Sequence, residues 1–319
     1  MAEPGVPALP SFPPDGLALP RDFDVRYGAG LRLGVSLGGG GLFFVAWQVS
    51  YLYELASHHI DLAVADRVVG TSAGSLVASV LEADRLGRFH RELSVLTKLP
   101  KLIGALAPAG DLHPSQQRAL DRFRAAANAD PATVRAIGHA GLAAQTPAAS
   151  VMARNVGLVL ASRKWPSSAL HLICVDSFTG ERCVVTGAAH VGVARAVAAS
   201  SAVPGLFAPQ PIGDRRCMDG GVSGSGVHLD LLAGSQRVVV LALTDGSDVT
   251  EALMTIRPGS SEAELAALRA SGSQVMLRVP ESVDVAMLMD PSAVPVAIEM
   301  GRRQAIADAD EMRAFVAES

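Results

Sequence analysis

The segment Gly70-Thr71-Ser72-Ala73-Gly74 constrains this chain more than any other. It follows a short β-branched strand, Asp66 to Val69, and opens Ser75 to Leu86, where apolar residues recur at helical spacing. Glycines on both sides of Ser72 permit a turn tight enough to lift a serine oxygen clear of the backbone between strand and helix. A unit of the same kind precedes it: Leu31 to Leu37 reads as an apolar strand, Gly38 to Gly41 break it, and Leu42 to Leu55 resumes with helical spacing. Two such units in about fifty residues pack most economically as parallel strands joined by right-handed helical crossovers, which places the chain in the α/β class.

Hydrophobic residues make up 49% of the 319-residue chain and charged residues 18%, which suits one large domain with a sizeable core. The net charge of -4 comes without a basic stripe, so no nucleic-acid partner is expected. Residues 1–28 read as a Pro-rich N-terminal arm and 29–319 as a single domain. The first twenty residues have no basic segment leading into an apolar stretch, so a signal peptide is not indicated. No apolar run reaches the length of a spanning helix, which restricts expected membrane contact to the periphery. Cys174, Cys183 and Cys217 are odd in number and fit buried free thiols in a reducing compartment; the expected location is cytoplasmic.

From Leu86 to about Ala161 the chain reads as helical, interrupted by Pro100, Pro108, Pro114, Pro131 and Pro147, the pattern of a helical cap inserted into the domain. Leu170 to Asp176 and Arg182 to Thr186 form a strand pair around a turn ending on Gly180. A helix, Val191 to Ser200, stops at Pro204 and Gly205, and an extended Pro-rich stretch leads to Asp219-Gly220-Gly221. Arg237 to Leu243 reads as a buried strand, Ser261 to Ala270 as a helix, Gln274 to Val279 as a strand, and Ala297 to Val316 as a closing amphipathic helix.

Ser72 sits where a nucleophile is needed, although the pattern alone also describes a plain tight turn. The start of the following helix sets backbone N–H groups and a positive dipole end beside it, which favours a developing alkoxide. Gly38 to Gly41 do not continue as a phosphate loop, which needs Gly-Lys, nor as a dinucleotide fingerprint, because Phe43 and Phe44 stand where a third glycine is required. An oxyanion hole and a structural turn remain, and an oxyanion hole asks only for unobstructed backbone N–H groups. A serine needs a base. None of the eight histidines stands in a setting that singles it out. Asp219, ahead of two glycines, is an alternative base if held close to the hydroxyl and partly desolvated; otherwise it caps a turn.

Taken together, the glycine run, the G-x-S-x-G turn one helix later, and Asp-Gly-Gly far downstream resemble the patatin-like phospholipases in kind and order. Ala196 to Phe207, with its Ser200-Ser201 pair and Pro204-Gly205 exit, is similar to the helix that precedes that family's catalytic aspartate. The likeness runs from about Leu31 to Val240. It implies a three-layer α/β/α fold with a mainly parallel central sheet, and hydrolysis of lipid or other acyl esters without metal or organic cofactor. By the same resemblance Ser72 attacks the carbonyl, and Asp219 accepts the proton and later activates water. The N–H groups of Gly39, Gly40 and Gly41, with Gly38 at the strand exit, bind the oxyanion, and Gly70, Gly74, Gly220 and Gly221 support the turns.

The chain departs from the family at two places. Phe43 and Phe44 stand where Arg or Lys and then Gly are usual, so a phosphate-bearing headgroup loses one partner; with Trp47 they point to an apolar acyl group or neutral ester. Val222 to Val227 replace the Asn and Pro usual after Asp-Gly-Gly. Two rivals keep the fold: an acyltransferase or thioesterase using the same pair, and a binding protein that has lost activity. A His-assisted α/β-hydrolase would instead need His228, only nine residues beyond Asp219.

Overall fold

Five parallel strands form the centre of the molecule: β1 (Leu33–Leu37), β2 (Arg67–Thr71), β3 (Leu170–Asp176), β7 (Arg237–Leu241) and β8 (Gln274–Arg278), in the order β3-β2-β1-β7-β8. Three antiparallel strands extend it: β4 (Arg182–Val185) and β6 (Arg215–Asp219) both pair with β3, and β5 (Gln210–Ile212) pairs with β6. The computed structural model describes residues 18–96, 111–162, 164–245, 260–281 and 283–317.

β1, β2, β3, β4 and β7 are buried along their whole length, as the interior of a sheet covered by helices requires, while β8 at the edge is only partly buried. Val35, Leu37, Leu170, Leu172 and Leu241 point to one side. There they meet α1 (Gly41–Ser57), α2 (Ala73–Glu82), α7 (Val193–Ser200) and the closing helix α9 (Val294–Ala317). Val69, Ile173, Val184, Val238 and Val240 point to the other, against α8 (Ser260–Ala270) and the segment Val227 to Ala233. The alternation of β-strand side chains thus produces three α/β/α layers.

Between β2 and β3 the chain inserts α3 (Leu86–Leu96), α4 (Pro114–Arg124), α5 (Pro131–Ala143) and α6 (Ala149–Leu160). Two of the prolines expected to interrupt this region start helices instead. Pro114 and Pro131 each take the first helical position, where no N–H is needed, behind His113 and Asp130, whose side chains cap the first turn. Pro100 and Pro108 lie outside the described residues. The helix expected over Ser75 to Leu86 ends earlier, at Glu82, because Asp84 adopts a left-handed φ of 54° between α2 and α3.

Residues 1–17 of the expected arm lie outside the described residues, while 18–28 pack on the domain. Leu19 is buried, its N–H donates to Arg182 O at 3.1 Å, and Arg182 donates back to Leu19 O. Arg182 also makes a two-pronged ion pair with buried Asp230 (2.6 and 2.7 Å). Pairing is what makes this buried carboxylate tolerable.

Candidate active site

Ser72 is the residue between β2 and α2, with φ 51° and ψ -119°, a conformation that costs a non-glycine residue about 1–3 kcal/mol and persists only when neighbours fix it. The neighbours are identifiable. The Ser72 N–H donates to Ser200 Oγ at 3.0 Å, and the Ser72 carbonyl accepts from Ser75 Oγ at 2.6 Å and Ser201 Oγ at 3.1 Å. A Cβ on Gly74 would lie 1.9 Å from Leu37 O, so only glycine lets α2 start against the end of β1. Gly70, the fourth residue of β2, pairs with Leu37 and Leu172.

Asp219 reaches this elbow by strand register. Leu172 and Ile173 pair with β2 and also with β4, while Cys174 and Val175 pair with β4 and also with β6. A strand has two edges, so β2 and β6 must share the edge opposite β4. Thr71 pairs with Ile173 and Asp219 with Cys174, so the last residue of β6 takes up that edge one position beyond the last residue of β2. Gly220 and Gly221 then start a 3-10 turn, Gly220–Ser223, and the Gly221 N–H donates to Asp219 Oδ1 at 2.8 Å.

Burial pushes the Asp219 carboxyl up to about 6; the Gly221 hydrogen bond and the facing Ser72 hydroxyl pull it partway back. The hydroxyl is close enough for that effect yet outside full hydrogen-bond geometry, and Asp219 Oδ2 has no hydrogen-bond partner among the described residues. A buried carboxylate oxygen without a donor is uncommon in a folded protein and suits a group that receives a proton.

The glycine run lies against the same serine. A Cβ on Gly39 would approach Ser72 Cβ to 3.2 Å. The Gly38 N–H is engaged with Leu241 O at 2.9 Å as an extension of the ladder, so it is not available to an anion; this corrects the expectation for Gly38. The Gly39 N–H makes a long bond, 3.4 Å, to Gly226 O. The N–H groups of Gly40, Gly41 and Ala73 donate to no acceptor among the described residues. Gly38 O accepts from the Gly74 N–H and from buried Gln48 Nε2, which holds the run against the elbow.

Ser72, Gly41 and Ala73 open into a cavity of about 530 Å³. Its walls are mostly apolar: Leu42 and Val45 from α1, Leu76 from α2, Phe89 and Leu93 from α3, Met152 and Val159 from α6, and Phe207 beyond α7. The inserted helices thus cover the site. A second cavity, about 640 Å³, lies between α4 and α5 beside Asp121 and Arg122 and touches none of the site residues.

Phe43, Phe44 and Trp47 were expected at the acyl group, and the structure corrects this. All three are fully buried on the inner side of α1, where Phe44 stacks on Trp47 at 5.3 Å and Trp47 on Tyr51 at 5.1 Å; none lines the cavity. In a helix starting at Gly41, the cavity side falls to Leu42 and Val45.

His228 is fully buried with its pKa lowered by burial and then by Arg21 and Arg182, which favours the neutral ring. Its Nδ1 lies 3.2 Å from Arg21 Nη2, and Arg21 also donates to Ser223 O at 3.1 Å and pairs with Glu264 at 3.0 Å. Neither the charge nor the hydrogen bonds acting on Asp219 include His228. It braces the loop after Asp219, the part of the chain that departs from the family pattern.

The roles of Ser200, Ser201, Gln48 and Arg21 were not read from the sequence. The adjacent serines at a helix end were the available signal, but only the fold shows that they meet Ser72 across 128 and 129 residues.

The serine of the strand-elbow-helix turn thus faces buried Asp219, with the glycine run alongside. The family profile described as patatin-like phospholipase matches residues 35–232, more than half of the chain. The chain belongs to the patatin-like phospholipase family. Two solved structures are similar to it: the type III effector protein ExoU (14% identity, TM-score 0.36, covering 90% of this chain and 54% of that one) and VipD from Legionella pneumophila (12% identity, TM-score 0.38, covering 88% and 66%). The chain therefore spans less than two thirds of the length of either. No curated protein matches it.

Proposed function

We propose that the protein hydrolyses acyl esters of lipids through an acyl-enzyme on Ser72, with Asp219 as general base. The observation that carries this reading is the placement of a buried carboxyl, pushed up to about 6 and short of one hydrogen-bond donor, opposite the elbow hydroxyl. Such a group is mostly ionised at neutral pH and still basic enough to accept a serine proton during attack.

The acyl chain lies in the cavity walled by Leu76, Met152 and Val159, with its carbonyl carbon at Ser72 Oγ. As Oγ bonds to that carbon, its proton passes to Asp219 Oδ2 and the carbonyl oxygen becomes an oxyanion. The unengaged N–H groups of Gly40 and Gly41, aided by the start of α2, receive that charge. The Asp219 proton then goes to the leaving alkoxide. In the second half a water oxygen bonds to the acyl carbon as its proton passes to Asp219, and that proton goes to Ser72 Oγ as the acyl–Oγ bond breaks and the fatty acid leaves.

No helix among the described residues is long and apolar enough to cross a membrane. We propose peripheral contact with a lipid surface through the inserted helices, where Val95 of α3 and Leu158 of α6 are exposed. The free cysteines fit a reducing, cytoplasmic setting.

The test is labelling with a fluorophosphonate that carries an alkyl chain, followed by peptide mass spectrometry. The proposal expects one adduct, on Ser72, suppressed by a competing long-chain ester. An unlabelled Ser72 in folded protein contradicts it. Product that forms only when an alcohol or amine acceptor is added would assign acyl transfer in place of hydrolysis.

A further inference from the structure

The three cysteines of this chain come from three different strands and meet at one point. Cys174 on β3 pairs with Cys183 on β4 and, on its other edge, with Asp219 on β6; Cys217 lies two residues before Asp219. Directly paired residues, and residues two apart on a strand, share a face, so all three thiols stand on the same side of the sheet as Asp219. Their Sγ atoms lie within 4.8 Å of one another, and all three residues are 0% exposed. None is bridged.

We propose that Cys174, Cys183 and Cys217 form a three-sulfur binding site for a soft metal ion, copper(I), set directly beside Asp219. The donor set selects the ion. Thiolates prefer soft metals, whereas magnesium and calcium need oxygen ligands. Structural zinc takes four ligands, and among the described residues the cluster contains no fourth histidine, cysteine or carboxylate. Sulfurs about 2.3 Å from a central metal, the usual thiolate distance, lie about 4 Å apart when trigonal, compatible with the observed spacing.

The surroundings supply part of the charge balance. Arg215 Nη1 lies 4.0 Å from Cys183 Sγ, so a positive charge faces the sulfur cluster. Binding displaces thiol protons to solvent, so affinity rises with pH. The alternative is three thiols packed as small apolar side chains, which bind nothing.

The test is anaerobic titration of the reduced, metal-free chain with copper(I) against a chromogenic copper(I) chelator, with X-ray absorption on the loaded protein. The expected result is one ion per chain, surrounded by three sulfurs. Cys183→Ser and Cys217→Ala are each expected to weaken binding by about 100-fold or more, at least what loss of an outer-shell partner costs. Circular dichroism checks that the variants fold; if one does not, stoichiometry and sulfur count in the wild type decide. Wild type that retains no more copper than the chelator leaves free, fewer than three sulfurs around the ion, or equal affinity in a folded Cys183→Ser variant would overturn the proposal. These readouts do not involve ester hydrolysis, so they stand apart from the reading of Ser72 and Asp219.

Discussion

Asp219 joins the edge of β3 one position beyond the point at which Thr71 leaves it. One residue after Thr71 the chain turns through Ser72, so the hydroxyl and the carboxylate come from strands that run end to end along a common neighbour. Hydrogen bonding to β3 sets their separation, and a one-residue slip of β6 would point its side chains to the opposite face.

Activity is expected to depend on the ionisation of Asp219. With the carboxyl pushed up to about 6, kcat/KM of the metal-free protein rises from acid pH and levels off above pH 6 to 7. Below that point it falls about tenfold per pH unit, because the protonated acid cannot accept the serine proton. A pH profile with an uncharged p-nitrophenyl ester checks this.

The same shift has a consequence for folding. The native carboxyl is raised above its unfolded value near 3.8, so the unfolded chain loses the proton first. Below about pH 4 both states are protonated and Asp219 contributes nothing; from pH 4 to 6 stability declines, and above pH 6 the full cost of about 2–3 kcal/mol is present. Asp219→Asn removes that cost. Urea unfolding at pH 8 is expected to show the variant more stable than wild type by up to that amount, with the difference vanishing near pH 4.

Ser200→Ala removes the acceptor of the Ser72 N–H and leaves a buried donor unsatisfied, which costs about 1–3 kcal/mol. Because the elbow conformation depends on that bond, kcat is expected to fall while KM changes little. Ser200→Thr, which restores the oxygen, is expected to recover part of the loss. Steady-state kinetics beside thermal unfolding separate the two effects.

Much of this arrangement was legible in the sequence, and the reason is local. The turns at Gly38 to Gly41 and at Gly70 to Gly74 are contiguous, and several of their glycines are required by contacts made nearby, as Gly40 with Phe44, Gly70 with Gly74 O, and Gly74 with Leu37 O on the paired strand. The strand Leu170 to Asp176 is legible because its apolar stretch Leu172 to Val175 marks a strand buried on both faces. What was not legible depends on distant pairing. β6 lacks alternation at Arg215 and Arg216, and only its pairing with β3 and β5 makes it a strand. The direction of Phe43 and Phe44 depends on where α1 meets α9, which no local pattern encodes. Gly38 groups with the oxyanion glycines in the sequence because the acceptor that engages its N–H, Leu241 O, lies some two hundred residues away.

The cavity predicts chain-length selectivity. Leu76 lies one helical turn beyond Ser72 and lines the wall, so Leu76→Trp fills space beside the reacting carbon. Hydrolysis of short acyl esters is expected to persist while kcat/KM for long chains falls about tenfold or more, on the scale of a lost or clashing methylene contact or two. A p-nitrophenyl ester series from acetate to palmitate measures the ratio.

The most direct measurement of the central claim is hydrolysis of that ester series by wild type, Ser72→Ala and Asp219→Asn, with the fold of each verified. Turnover by wild type and a loss of roughly a thousandfold or more in both variants, the scale set by removing a nucleophile or its base, is the predicted result. Wild type that is inactive on every ester, or Asp219→Asn that turns over near the wild-type rate, would contradict the assignment of Asp219 as the base of Ser72.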